Sequence, residues 1–309
     1  MKSSSSIATA STLSKFKEAT TFLNWSFSKS TSPDPYETMF SLLNEYRTTY
    51  EQLTGEPFSS ARIFEIGYGQ RPFSLFALTS MGMDVSGIDL DMPMVGFSFL
   101  KLFAIARRNG VERALKTGVR SALFDQRDRS ALGRSLELRG YKLKIDSSRL
   151  LVGDATACTA NLGMVDLIYS ECVFEHIPHD SLRLLVKHIA TELSPKGLAL
   201  IRPDVFTGIA GGHNPEWYSF QVNRDIPRKY EPWEHLRKGR FTANTYLNKL
   251  SRADYRELFG QHFDIIEERV YIPDLGRQWL TPEVRKELAA WSEEELFSNK
   301  VEFVLRRKT

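Results

Sequence analysis

Residues able to do chemistry gather in two stretches of this sequence. The first is Glu65-Ile66-Gly67-Tyr68-Gly69, where an apolar run ends in two glycines one residue apart with an acid just before them. Pro72 then opens a helical pattern carried by Phe73, Phe76 and Ala77. A strand, a tight turn and a helix start together bring backbone N–H groups up to a nucleotide-like ligand. Gly67 and Gly69 allow torsions and a close approach that a side chain would forbid. Asp89 ends the next apolar run, roughly 20 residues on, where nucleotide-binding α/β units hold a ribose. A carboxylate suits two adjacent hydroxyls because it only accepts. Asp89 also suits a helix N-cap, and Asp91 competes for either role; the upstream glycines favour the ribose.

The second stretch is residues 203–250, with Gly211-Gly212-His213-Asn214-Pro215-Glu216-Trp217-Tyr218 and Pro232-Trp233-Glu234-His235-Leu236. Each run joins a histidine to aromatic rings in a segment without regular periodicity. A histidine titrating near neutrality is the natural base for a hydroxyl nucleophile. His213 leads as that base, followed by His235 and His176, although a structural role is the default for any single histidine. Trp217, Tyr218 and Trp233 suit a wall that excludes water and packs on a sugar or ring substrate. His213 and His235 lie too far apart, without clustered acids, to read as a metal-ligand pattern, so no metal is expected.

These residues separate two ligand classes. A dinucleotide fingerprint asks for a third glycine where Pro72 stands. The acid before the glycines instead resembles the first motif of class I S-adenosylmethionine (SAM)-dependent methyltransferases, with Arg71 departing from the small residue common there. The later segments resemble that family in the correct order: Gly153-Asp154-Ala155 after a third strand, Val173-Phe174-Glu175-His176 after a fourth, and Ser194-Pro195-Lys196-Gly197 turning into a fifth. The likeness covers residues 63–202, interrupted once. It implies SAM as cofactor, its methionine end held by Glu65 with Gly67, Tyr68 and Gly69, its ribose by Asp89 beside Leu90, its adenine by Asp154 and Ala155. Ser170 and Glu171 complete that set. It implies a Rossmann-like α/β fold, a seven-stranded and mostly parallel sheet with helices on both faces, and an in-line displacement at the sulfonium methyl. The acceptor expected is a hydroxyl of a saccharide or other polar small molecule. An NAD(P)-dependent oxidoreductase and a non-catalytic SAM-binding scaffold are the competing readings.

Elements must carry these groups. Residues 1–33 are rich in Ser and Thr and hold no Arg, which reads as a flexible leader with a short helix around 16–25 rather than a transit peptide. Asp34-Pro35-Tyr36-Glu37 has the form of a capped helix start, and Met39, Phe40, Leu43, Tyr46, Tyr50 and Leu53 continue it to Gly55. Residues 34–309 then read as one domain, with a helical insertion at 97–148 and a substrate cap at 203–250. In the insertion Phe97, Leu100, Phe103 and Ala104 make one helical face. Its polar positions run basic, through Lys101, Arg107, Arg113, Lys116, Arg127, Arg134 and Lys144, against Glu112, Asp125, Asp128, Glu137 and Asp146. That balance suits an anionic or lipid-linked acceptor, or peripheral contact with an anionic membrane. Nucleic acid is not expected, since no aromatic stacking platform interleaves the charges. A helix through Tyr255 and Phe259, a strand over 263–272, a helix capped by Thr281-Pro282-Glu283 and a strand over 300–306 complete the chain, the last strand inserted beside the fifth.

The 309 residues carry a net charge of +3 and a 42% hydrophobic fraction, enough to fill a core. Two cysteines build no disulfide scaffold, and no run is long enough to span a bilayer; a cytoplasmic enzyme is expected.

Overall fold

The computed structural model describes residues 34–308, apart from 97, 159–161, 242 and 244. The leader and its expected helix lie outside the described residues.

Seven strands form one sheet in the order β3-β2-β1-β4-β5-β7-β6. They are β1 (Arg62–Ile66), β2 (Asp84–Asp89), β3 (Leu150–Val152), β4 (Val165–Glu171), β5 (Leu193–Arg202), β6 (Phe263–Val270) and β7 (Val301–Arg307). The first five pair in parallel, and β7 runs antiparallel between β5 and β6. Every parallel strand therefore ends at one rim, where ligands of open α/β sheets bind. This is the Rossmann-like class I methyltransferase architecture that the motif order implies.

Side chains alternate across each strand, so the sheet needs cover on both faces. Ile63, Leu167, Tyr169, Leu198 and Leu200 face helices α1 (Glu37–Thr54) and α2 (Phe73–Ser80). Phe64, Ile66, Ile168, Ala199 and Ile201 face the opposite layer, whose helices appear further along the chain.

Three helices fill the connection after β2: α3 (Phe99–Asn109), α4 (Val111–Arg120) and α5 (Gln126–Glu137), the last two joined by a π turn. Leu132 and Leu136 of α5 complete the core beneath α1. After β3 come α6 (Ala155–Cys158) and, following β4, α7 (His179–Glu192). Short α8 (Glu234–Arg237) and α9 (Arg252–Gly260) precede β6, and α10 (Pro282–Glu287) and α11 (Glu293–Leu296) precede β7. Leu182, Leu185, Val186 and Ile189 of α7, with Tyr255 and Phe259 of α9, cover the second face.

Three local readings differ from the sequence expectation. Helix α1 starts at Glu37, with Tyr36 as its cap residue; Asp34 instead accepts from the Tyr36 N–H at 3.2 Å and pairs with Arg139 at 2.6 Å. The Ser194–Gly197 stretch is a bulge inside β5 rather than a turn before it. Leu193 already pairs with Val165, and pairing resumes at Leu198 opposite Leu167. In α3, Leu100 and Phe103 face outward, whereas Leu102, Ile105 and Ala106 pack with Met94 and Ala114. The hairpin of α3 and α4 closes on that other stripe because Gly118 lets Leu102 come close.

The region after β5 has its own core of Ile209, Trp217, Val222, Trp233, Leu275, Val284, Leu288, Leu296 and Phe297. It draws on both the 203–250 segment and the β6–β7 connection, so this region is a two-part lobe. Among the described residues no helix is long and apolar enough to cross a membrane.

Candidate active site

The glycine turn leaves β1 at the rim. Gly67 (φ 82°) donates to the Ile88 carbonyl at 2.8 Å, and its missing side chain is filled by Val173, whose Cγ2 would lie 2.1 Å from a Cβ. Gly69 (φ 68°) has open space where its side chain would be. The two glycines thus serve different ends, one for packing and one for torsion and ligand approach.

The Gly69 N–H donates to Asp89 Oδ2 at 2.8 Å, and the Asp91 N–H donates to Asp89 Oδ1 at 2.7 Å. An ionised carboxylate accepts about four hydrogen bonds, so this anchoring is compatible with further donors such as ribose hydroxyls. Gln70 donates to Asp91 at 3.1 Å. The Tyr68 hydroxyl donates to the Leu151 carbonyl at 2.6 Å, tying the turn to β3. Leu90 is exposed beside this loop. At the end of β3, Asp154 Oδ1 accepts from the Thr156 N–H at 2.8 Å and starts α6 at Ala155.

Glu65 is buried and accepts from the Tyr169 hydroxyl at 2.9 Å. Burial pushes its pKa up to about 8 despite that bond, and the Glu171 and Asp89 charges push the same way. Glu65 pairs with Gly87 in the parallel β1–β2 ladder, so Glu65 and Asp89 stand at the same rim. Ser170 donates to the Ile66 carbonyl at 2.9 Å, locking β4 to β1. Glu171 accepts from Tyr46 of α1 and pairs with Arg202 at 3.3 Å. Arg202 is buried, meets Glu302 at 3.0 Å and Glu45 at 3.5 Å, and lies under the Tyr271 ring.

Arg71, the departure from the family motif, pairs with Asp125 at 3.2 Å and Asp128 at 2.7 Å. It fastens the helical insertion to the glycine turn and turns two of its acids inward.

Beyond β4 and β5 the chain gathers a polar cluster that spacing alone hid. Ligand-type atoms of Glu175, His176 and His213 lie within 4.8 Å of one another, as do those of Cys172, Glu175 and Asp204. Glu175 is 3% exposed, and neither carboxylate oxygen accepts a hydrogen bond of ordinary geometry. Burial, then the Asp204 charge, pushes its pKa well above the carboxylate range. Lys300 donates to Cys172 Sγ at 2.8 Å and lies 3.7 Å from Asp204. Burial holds the His213 imidazole below its ordinary pKa, with the His176 and Lys300 charges adding to that and Asp204 opposing it. Cys172 (φ 53°) and His213 (φ 52°) both hold left-handed backbone, a strain of about 1–3 kcal/mol each that functional sites commonly retain.

Other sequence candidates sit elsewhere. His235 is buried with Nε2 donating to the Phe206 carbonyl at 2.9 Å, and burial lowers its pKa to about 4; it holds the loop and does not open on the rim. Trp217 and Trp233 are interior residues of the lobe, their indole N–H groups donating to the Tyr230 and Thr207 carbonyls. They support the lobe from inside, since an aromatic-rich loop needs a core of its own. Tyr218 remains beside His213, ring centroids 6.3 Å apart. Asp204, two residues past the end of β5, was the legible signal for the missed cluster, together with the Glu175-His176 pair.

The strand order, the two-glycine turn and the acid closing β2 define the architecture of class I SAM-dependent methyltransferases. No family model matches the sequence, and no curated protein matches it. Solved structures similar to it include a protein of Pyrococcus horikoshii, 12% identical over 88% of this chain and 92% of that one, TM-score 0.43. A TehB-like SAM-dependent methyltransferase of Corynebacterium glutamicum is 14% identical over 90% and 100%, TM-score 0.39. A SAM-dependent methyltransferase of Mesorhizobium loti is 15% identical over 84% and 96%, TM-score 0.39. Likenesses this distant decide nothing about activity.

Proposed function

We propose that the chain is a SAM-dependent methyltransferase that O-methylates a hydroxyl of a saccharide or another polar small molecule, anionic or lipid-linked. The observation that carries this reading is the joining of the β1 turn to the β2 acid through Gly69 and Asp89, with Glu65 at the same rim of the parallel pair. On this reading Asp89 and Leu90 take the ribose, Asp154 and Ala155 the adenine, and Glu65, Gly67, Tyr68, Gly69, Ser170 and Glu171 the methionine end.

The acceptor oxygen attacks the sulfonium methyl in line; the C–O bond forms as the C–S bond breaks and its electron pair returns to sulfur. The hydroxyl proton passes to His213, with His176 next to it. The protein's main work is alignment and exclusion of water, because the methyl carbon is already electrophilic. The cluster past β4 and β5 supports this reading, since it lies on the rim shared with Asp89 and includes His213 and His176.

The acceptor's character is suggested by the insertion. Phe99, Leu100 and Phe103 on α3, and Val111, Leu115 and Val119 on α4, are exposed, with basic Arg107, Arg127 and Arg134 exposed on the same three-helix segment. An exposed apolar ridge with cationic neighbours suits an anionic lipid surface.

Incubating the protein with methyl-labelled SAM and a host-cell extract tests the proposal. Label in a hydroxyl-bearing small molecule, lost in His213→Ala, is expected. Label on no acceptor, with His213→Ala indistinguishable from the parent, contradicts it.

A further inference from the structure

We infer that Glu175, His176 and His213 form a binding site for a divalent transition-metal ion such as Mn2+, Co2+ or Zn2+, with a coordination position left for an acceptor oxygen. Two imidazoles and one carboxylate are a donor set that such ions favour. The His176 ring is held in one tautomer. Its Nδ1 lies 3.0 Å from the Tyr246 carbonyl, which can only accept, so Nδ1 carries the hydrogen. In the neutral ring that leaves Nε2 as a lone pair, 3.9 Å from Glu175 Oε1. A lone pair and a carboxyl oxygen facing each other are bridged by a proton or by a metal ion, and 3.9 Å is too long for a direct hydrogen bond but suits an ion between them. A carbonyl holding the far nitrogen is also how proteins orient metal-ligating histidines.

Glu175 supplies the second, independent observation. A carboxylate this deeply buried is normally satisfied by hydrogen bonds, because an unpaired one is costly. No donor reaches either of its oxygens with ordinary hydrogen-bond geometry, although the backbone N–H groups of Glu175 and Asp204 lie near, and one of its oxygens belongs to a set of ligand-type atoms within 4.8 Å of one another. Ligand atoms about 2.1 Å from one ion lie at most about 4.2 Å apart, so small side-chain rotations close the set.

The neighbouring trio of Cys172, Glu175 and Asp204 is a poorer candidate. Lys300 already provides the cation there, bonded to Cys172 and beside Asp204. The turn carrying Glu175 and His176 is also rigidly held. Asn248 donates its side chain to the Phe174 and Ile177 carbonyls at 2.7 and 3.2 Å, and its backbone N–H to the Glu175 carbonyl at 2.9 Å. Ligands fixed by such outer contacts bind without a large ordering cost.

An ion here would lower the pKa of a bound hydroxyl; with the ion bound His213 is a ligand and the proton leaves to water, whereas in the ion-free site His213 takes the proton itself. That role rests on the methyltransferase reading, whereas the binding of the ion does not.

The test is a Co2+ titration of the chelator-stripped full chain, followed by calorimetry and by visible ligand-field absorption. One equivalent with ligand-field bands is expected, weakened about tenfold or more in Glu175→Gln and in His176→Ala, and unchanged in His262→Ala. His176 is partly exposed, so His176→Ala remains informative if Glu175→Gln fails to fold. Absence of bands in the parent chain, or unaltered affinity in His176→Ala, overturns the site. Methyl transfer at full rate in the stripped chain overturns the ion's part in the reaction alone. Failure to bind SAM overturns the methyltransferase reading and leaves the Co2+ result standing.

Discussion

The backbone N–H of Gly69 donates to Asp89 Oδ2 at 2.8 Å, so the glycine turn after β1 and the acid that ends β2 are one unit. That coupling fixes the loop at which a nucleoside would be held.

Glu65 makes stability depend on pH. Its pKa stands at about 8 in the folded chain against 4.5 for an ordinary glutamate. Between those values the folded state binds more protons than the unfolded one, so stability falls as pH rises through that window and levels off above about 8. The total is on the order of a few kcal/mol. In Glu65→Gln the decline between pH 5 and pH 8 becomes shallower in urea titrations, the remainder belonging to Glu175 and Glu171, which burial also pushes up. A cationic methionine end favours the carboxylate, so SAM affinity in the parent chain rises over the same range and flattens in the variant.

Gly67 and Gly69 respond differently to alanine. Gly67→Ala meets Val173 as well as a left-handed torsion, and loses about 2–4 kcal/mol of stability. Gly69→Ala meets only the torsion and loses about 1 kcal/mol, while its methyl enters the space open for a ligand. Thermal unfolding with and without SAM separates the two: a large stability loss in the first, a lost ligand shift in the second.

Arg71→Ala leaves Asp125 and Asp128 buried without their cation. The cost is on the order of 3 kcal/mol, and the insertion loosens from the turn. Adding Asp125→Asn and Asp128→Asn restores part of the denaturation midpoint. Full stability in the single variant would show that the pair is not an anchor.

The ridge on α3 and α4 predicts lipid binding. The full chain co-sediments with phosphatidylserine-containing vesicles at low salt, and Phe99→Ser/Leu100→Ser/Phe103→Ser reduces this several-fold. Equal binding of parent and variant would leave the ridge without that role.

The legible parts of the sequence were those carried by local spacing. Glu65, the two glycines and Asp89 announce themselves because strand, turn and helix follow within a few residues. The 281–283 cap also forms where the sequence puts it, with Thr281 accepting from Val284. The polar cluster was hidden because Glu175, Asp204, His213 and Lys300 come from the ends of β4 and β5, the lobe, and the residue before β7. Proline and glycine at Ser194–Gly197 imitate a turn, but pairing with β4 on either side keeps the segment in the strand. The face of α3 misled because an amphipathic stripe shows that a helix has an apolar side, not which neighbour will cover it. Trp217 and Trp233 sit in a loop without periodicity, and nothing local reveals that this loop builds its own core.

Calorimetry of the full chain with SAM and, separately, with NAD tests the central claim most directly. The account predicts one equivalent of SAM bound, no heat with NAD, and SAM affinity lowered about 10- to 100-fold in Asp89→Ala, as loss of charge-assisted hydrogen bonds to the ribose would give. Tight binding of NAD with none of SAM, or SAM affinity unchanged in Asp89→Ala, would contradict it.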